Sequence, residues 1–412
     1  FNKCHAAGHV PANATCGMCG RLAARRSMRV IHVITRLIVG GAQENTVASV
    51  LGLRQQHGLD VSLVAGPTIG PEGSLQEMYC SSGAPFTLAP DLIRPIRPLA
   101  DRRALAFLTD HLRSERPDIV HTHSGKAGFL GRLAAETSGV PVIIHSIHGP
   151  SFGRFQGIMA NIALLAAERR AGRVTTHFVA VADAMSEQYL AAGIGKSEQY
   201  SVIRSGFDVD DFNQVQPDPV LQRQLHLQKG DFVIGKIARL FELKGHDELL
   251  STVPDILQQC PQAKFLLVGD GNWRKRLEEK AKRLGIRDRV AFAGLVQPEE
   301  MPRYIGLMSM LVHLSHREGL PRALAQALAA GKPVVAWDCD GAGEICRNDE
   351  TGILLKPDDL NGLVKAVTRL AKDEPLRNKL GSTGRAWVRK HFTVEGMVRA
   401  QHELYQRLLA GH

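Results

Sequence analysis

Two parallel, doubly wound α/β domains facing each other across a cleft are the architecture this sequence predicts, on three observations. Short β-branched runs alternate with longer helical stretches, the same pattern restarts after residue 230, and a turn-rich segment separates the halves. At 412 residues, the chain suits two domains of roughly 100–200 residues each. Hydrophobic residues make up 44% and charged residues 22%, which excludes a disordered, collagen-like or coiled-coil chain. No run approaches the roughly 18 apolar residues that a membrane helix needs.

The first half opens at Met28 on the strand-like run 30–34, turns at Gly40-Gly41 and continues as a helix from about Gln43. Further strands are predicted at 61–64, 119–121, 142–144 and 178–181, with crossover helices such as 104–116 and 127–137. Most of these runs are continuous rather than alternating, as in strands buried on both faces. The second half repeats the arrangement with strands at 233–238, 264–268, 290–292, 310–314 and 333–336. Between them, 204–212 with Pro217 and Pro219 has turn composition. The expected division is a first Rossmann-like domain over 28–203, a hinge over 204–216 and a second domain over 217–393. A C-terminal helix in 394–412, N-capped by Thr393, is expected to cross back to the first domain. Residues 1–27 read as a disordered leader or an artefact ahead of the start at Met28. Cys16-Gly-Met-Cys19 has half the spacing of a zinc site, near Cys4, His5 and His9, but the partner half is missing.

Charge and cysteine content narrow the function classes. Of the net +10, four charges (Lys3, Arg21, Arg25 and Arg26) lie in 1–27, leaving 47 basic against 41 acidic side chains over both halves. A nucleic-acid binder concentrates its cations on a stripe, so no nucleic-acid partner is expected. Seven scattered cysteines, an odd number, argue for a reducing compartment, and the expected location is cytoplasmic.

The chemistry should sit at the carboxyl ends of the strands, in the cleft. Hydride transfer is disfavoured, because the dinucleotide fingerprint needs Gly-x-Gly-x-x-Gly. Gly40-Gly41 lacks the spacing, and Gly269-Asp270-Gly271 has Arg274 where the third glycine belongs. Arg239 and Lys244-Gly245 follow the first strand of the second domain, a cation pair suited to a diphosphate. Glu318-Gly319-Leu320-Pro321 runs into a helix whose first position is expected at Pro321. The Gly319 and Leu320 amides then form an anion site at a helix N-terminus, with Glu318 placed to bind hydroxyls.

In this order the motifs resemble retaining glycosyltransferases of family 4, with the twin-Rossmann GT-B architecture. The resemblance covers 28–409 and also includes the hinge, 290–296 and Gly331-Lys-Pro-Val-Val. It implies transfer of a sugar from a nucleoside-diphosphate sugar to a glycan or lipid-linked acceptor in cell-envelope polysaccharide assembly. Arg239 and Lys244 would hold the diphosphate, Glu318 the transferred sugar and backbone near Val296 the base, while Glu344 closes a nearby loop. His148-Gly149 would lie beside the sugar, with His123 a second acceptor-side histidine. The resemblance also suggests front-face attack, with the donor phosphate taking the acceptor's proton. Where the family has a second acid on the helix, for the ribose, this chain has Gln326.

No cofactor is expected. Asp208-Val-Asp210 falls in the hinge and Asp338-Cys-Asp340 in a loop, so the cations, not a metal, should stabilise the leaving diphosphate. A nucleotide-sugar epimerase or a non-catalytic nucleotide-sugar-binding protein of the same fold is the rival reading. Segment 155–173, apolar from Ile158 to Ala167 and ending in Arg169, Arg170 and Arg173, suits a weak peripheral membrane contact or a buried helix.

Overall fold

Buried β-branched runs pair side by side into two parallel sheets. The computed structural model of the protein describes residues 27–68, 73–153, 155–213 and 215–411, so the cysteine cluster near the N-terminus and all but Ser27 of the expected leader lie outside it. The first half holds β1 (Arg29–Ile34), α1 (Gly41–His57), β2 (Asp60–Ala65), α2 (Gln76–Ser81) and β3 (Phe86–Leu88). It continues with α3 (Pro98–Glu115), β4 (Ile119–His123), α4 (Gly125–Thr137) and β5 (Val142–Ile147). The half closes with α5 (Ile158–Gly172), β6 (His177–Ala180), α6 (Asp183–Ala191) and β7 (Tyr200–Val202).

The second half begins with α7 (Pro219–Gln224), β8 (Phe232–Ile237), α8 (His246–Gln259), β9 (Ala263–Val268) and α9 (Arg274–Arg283). Next come β10 (Val290–Gly294), α10 (Met301–Gly306), β11 (Met310–His313), α11 (Arg322–Ala329) and β12 (Val334–Trp337). The chain ends with β13 (Gly352–Leu355), α12 (Leu360–Lys372), α13 (Glu374–His391) and α14 (Val394–Ala410).

The sheet orders are β3-β2-β1-β4-β5-β6-β7 and β10-β9-β8-β11-β12-β13, all parallel. Each order reverses beside its first strand, between β1 and β4 and between β8 and β11. Loops leaving the carboxyl ends of strands at such a point diverge and leave a crevice for ligand. Strands β4, β5, β6, β11 and β12 are buried along their whole length, which explains their unbroken apolar runs. Three edge strands escaped the sequence reading. With three or four residues each and partial exposure, β3, β7 and β13 show neither a long apolar run nor a countable alternation.

Helix α14 crosses back to the first domain. Thr393 caps it by accepting a hydrogen bond from the Gly396 amide, and Met397, Val398, Leu404 and Tyr405 enter the core with Val30, Val47 and Val50. Its close approach to α1 depends on Gly52, where a Cβ would stand 2.4 Å from Val398. Elsewhere the halves share an apolar cluster running from Ile147, Ala182 and Met185 to Leu320, Leu324 and Ala342. Polar contacts span the same seam. Arg322 pairs with Glu44 at 2.7 Å, Gln188 donates to Asp340 at 2.6 Å, and Arg317 donates to the Pro150 carbonyl.

Candidate active site

The loops at the two reversal points enclose a cavity of about 1080 Å³ between the domains. Ligand pockets commonly span about 300–1,000 Å³, so there is room for a two-part ligand. The second domain contributes Arg239, Lys244, Gly269, Val296, Glu318, Gly319, Leu320, Pro321 and Gln326, and the first domain Gly40, Gly41, His148 and Gly149.

Lys244 is presented by a tight turn between β8 and α8, where Leu243 and Gly245 both have positive φ. At Gly245 a Cβ would stand 1.9 Å from the Leu314 carbonyl oxygen, so the turn can press against the end of β11 only with glycine there. Lys244 Nζ donates to the Glu318 carboxylate at 2.5 Å, and His313 Nε2 lies 3.3 Å from the same oxygen. Burial pushes the Glu318 carboxyl up, but Lys244 and His313 outweigh it and hold the group far below the usual carboxylate range. Glu318 is therefore a fixed anion. Arg239 is exposed on the same wall, its guanidinium 5.2 Å from the centre of the Phe241 ring.

Three sequence expectations need correction. Pro321 is the residue preceding α11, and Arg322 is the first helical position. The Gly319 and Leu320 amides still precede the helix, and neither donates to a partner among the described residues. Asp270 and Gly271 are not in the cavity wall. Their loop folds onto residues 238–240, where a Gly271 Cβ would stand 2.5 Å from the Leu240 carbonyl, while Asp270 pairs with Arg274 at 3.4 Å. His123 is fully buried behind His148, 3.0 Å from its Nε2, and is not part of the cavity wall.

Two other residues of the site, His313 and Arg317, were not given a role in the sequence, and Asp340 was read there only as a loop acid. His313 ends β11 as His123 ends β4, and that shared strand-end position was the available signal. Arg317 lies over the Phe155 ring at 3.6 Å and ties the two walls together, a tertiary pairing that no local pattern announces. Asp340 receives the Glu318 amide at 2.7 Å and the Gln188 side chain, so it braces the loop. Asp208 and Asp210 stay in the hinge, where Asp210 pairs with Arg389 at 2.5 Å.

The family descriptions that match are "Glycosyl transferase 4-like domain" over residues 40–206 and "Glycosyl transferases group 1" over 218–387. The chain belongs to the family 4 type of GT-B glycosyltransferases. This glycosyltransferase is 25% identical over 382 residues to the Escherichia coli UDP-Gal:alpha-D-GlcNAc-diphosphoundecaprenol alpha-1,3-galactosyltransferase, covering 92% of this chain and 96% of that one. It is 27% identical over 304 residues to a Mycobacterium tuberculosis GDP-mannose-dependent alpha-(1-6)-phosphatidylinositol monomannoside mannosyltransferase, covering 71% and 75%. The crystal structure of Anabaena HepE in complex with UDP-glucose superimposes with a TM-score of 0.78 at 23% identity, covering 92% of the glycosyltransferase and all of that chain.

Proposed function

We propose that the enzyme moves a sugar from a nucleoside-diphosphate sugar to a glycan or lipid-linked acceptor of the cell envelope, with retention of configuration and without a metal or other cofactor. The observation that carries this reading is one cavity wall holding Arg239, Lys244 and the Gly319 and Leu320 amides, which have no partner among the described residues, with Glu318 beside them and His148 opposite. The names of the relatives, with their UDP- and GDP-linked donors and lipid acceptors, support it.

As the bond from the anomeric carbon to the phosphate oxygen breaks, negative charge grows on the diphosphate. Preorganised cations and amides there stabilise the transition state more than the ground state. Glu318, fixed as an anion, accepts a hydrogen bond from a hydroxyl of the transferred sugar. Gln326 on α11 faces the ribose, and the backbone beside Val296 faces the base. The acceptor hydroxyl attacks from the side the phosphate leaves, its oxygen bonds to the anomeric carbon, and its proton passes to the departing phosphate oxygen. Burial pushes the His148 imidazole down to about 4, so at neutral pH it orients a hydroxyl as a neutral ring. Incubation with UDP- and GDP-hexoses and GlcNAc-diphosphoundecaprenol in EDTA tests this, with the product anomer read by NMR. The expected product keeps the donor's anomeric configuration. An inverted product, or activity only on adding Mg²⁺ or Mn²⁺, contradicts the mechanism.

The acceptor side also favours a peripheral membrane contact, although not the one the C-terminal arginines of α5 suggested. Arg169 donates to the Ala192 carbonyl and Arg170 pairs with Glu136. Among the described residues no helix is long and apolar enough to cross a membrane. Instead Ile158, Met159 and Ile162 at the start of α5 and Ile96 and Leu99 before and in α3 are 57–80% exposed. Arg94, Arg97 and Arg102 are exposed in the same stretch as Ile96 and Leu99, and Arg94, Ile96 and Ala160 reach the cavity wall. Such a surface inserts apolar tips while each cation adds about 1 kcal/mol against anionic headgroups. Sedimentation with anionic vesicles should fall sharply in Ile96→Asp/Met159→Asp. Equal sedimentation with anionic and neutral vesicles removes the contact.

A further inference from the structure

His148 is the outermost member of a hydrogen-bonded chain that runs through the first domain. His148 Nε2 meets His123 Nδ1 at 3.0 Å, and His123 Nε2 meets His32 Nδ1 at 2.9 Å. His32 Nε2 meets the Tyr405 hydroxyl at 3.2 Å, the hydroxyl meets His121 Nδ1 at 2.6 Å, and His121 Nε2 meets Ser146 Oγ at 2.8 Å. The chain uses β1, β4, β5 and the crossing helix α14. All members except His148 are buried, and His32 and His123 stack at 5.0 Å and 17°. Burial holds each of these four imidazoles well below the ordinary histidine value, so each is neutral and carries one ring proton.

Proton counting then permits two arrangements. Every link needs one hydrogen, and a neutral imidazole that donates through one nitrogen must accept at the other. If Tyr405 donates to His121, it accepts from His32, and all four histidines carry the proton on Nε2. If Tyr405 donates to His32, all four carry it on Nδ1. The distances favour the first arrangement, because 2.6 Å is short for an N–H donor and suits the hydroxyl, whereas 3.2 Å suits N–H donating to oxygen. His148 Nδ1, which has no partner among the described residues, is then a bare acceptor left for the cleft.

We infer that Tyr405, acting through His32 and His123, is a positioning residue that fixes His148 as a hydrogen-bond acceptor toward a sugar hydroxyl. The role given to His148 rests on the proposed function, whereas the coupling between Tyr405 and the His148 tautomer stands on the hydrogen-bond geometry and the burial of the rings. His32, His121 and His123 also present nitrogens within 4.8 Å of one another, close enough to share a metal ion. Each of those nitrogens already has a hydrogen-bonding partner, which is why the tautomer chain is the better account.

The test is the nitrogen-15 spectrum of histidine-labelled full-length protein, with His148 assigned through His148→Ala. In wild type all four rings should report Nε2–H. In Tyr405→Phe, and in His32→Gln should the first variant fold poorly, His148 should become a mixture of tautomers. Turnover of Tyr405→Phe should fall about three- to tenfold, the weight of one neutral hydrogen bond, with donor KM little changed. In a His148→Ala background the same substitution should change nothing further. An unchanged His148 tautomer in both variants, or stoichiometric zinc in the purified protein, overturns the inference. Wild-type turnover by His148→Ala would instead refute the role of His148 in transfer, leaving the coupling to be judged on the spectrum.

Discussion

Lys244 and Glu318 stabilise each other in the cleft at 2.5 Å, so each is preorganised for a ligand of opposite need. Lys244, which also donates to the Arg317 carbonyl at 3.3 Å, keeps one donor for the proposed phosphate, and Glu318 keeps lone pairs for the proposed hydroxyls. Gln326 lines the same cavity where the family resemblance expects a second acid. An amide retains an acceptor and adds donors, but loses charge assistance, a difference of about 1 kcal/mol. Gln326→Glu should therefore bind the donor nucleotide equally well or up to about tenfold more tightly, with turnover within about twofold, measured by titration and initial rates. A hundredfold gain in turnover would show that the wild-type residue disables the site. The place of Arg239, Lys244, Glu318 and Gly319 on the cavity wall was legible in the sequence because each lies near a strand end or helix start, where chain order alone sets position. His123 was misjudged because sequence places it at a strand end without showing that His148 covers it.

At the scale of elements, β8 carries the least expected group. Lys236 sits next to the carboxyl end of this buried strand at 1% exposure, and its Nζ has no hydrogen-bond partner among the described residues. Burial, with Lys244 nearby, pushes its pKa down to about 7. Between pH 7 and the ordinary lysine value near 10.4, the unfolded chain binds more protons than the folded one, so stability rises with pH. Below pH 7 both states are protonated and the penalty is fully in place. Lys236→Met should raise the thermal midpoint at pH 7 and flatten the rise between pH 7 and 10, as followed by circular dichroism. A lower midpoint at pH 7 would mean the amine is satisfied in a way the structure does not show. The long strands were legible from their apolar runs, and Lys236 passed unnoticed inside one. A charge within a run of Val and Ile reads locally as a strand residue, and only the packed sheet shows that it has no way out.

For the whole molecule, the two domains meet through side chains over most of the seam and through backbone at the cleft. At Gly319 a Cβ would stand 1.9 Å from the His148 carbonyl oxygen, so any side chain there pries the cleft apart. Gly319→Ala should lose most turnover while keeping its helix content, and small-angle scattering should show a larger radius of gyration. Unchanged turnover would mean that closure has slack at this point. Both Rossmann-like halves could be read from the sequence because their grammar is local and repeats. Contacts such as Arg322 with Glu44, and Tyr405 with His121, join residues more than 270 positions apart and have no sequence signature. Calorimetric titration with UDP and GDP in EDTA reads whether the cleft holds a nucleoside diphosphate through Arg239 and Lys244. The wild type should bind at least one of them, and Arg239→Ala and Lys244→Ala should each weaken that binding by roughly ten- to a hundredfold with circular dichroism unchanged. Variants that bind as tightly as the wild type, or a wild type that binds neither nucleotide, would contradict it.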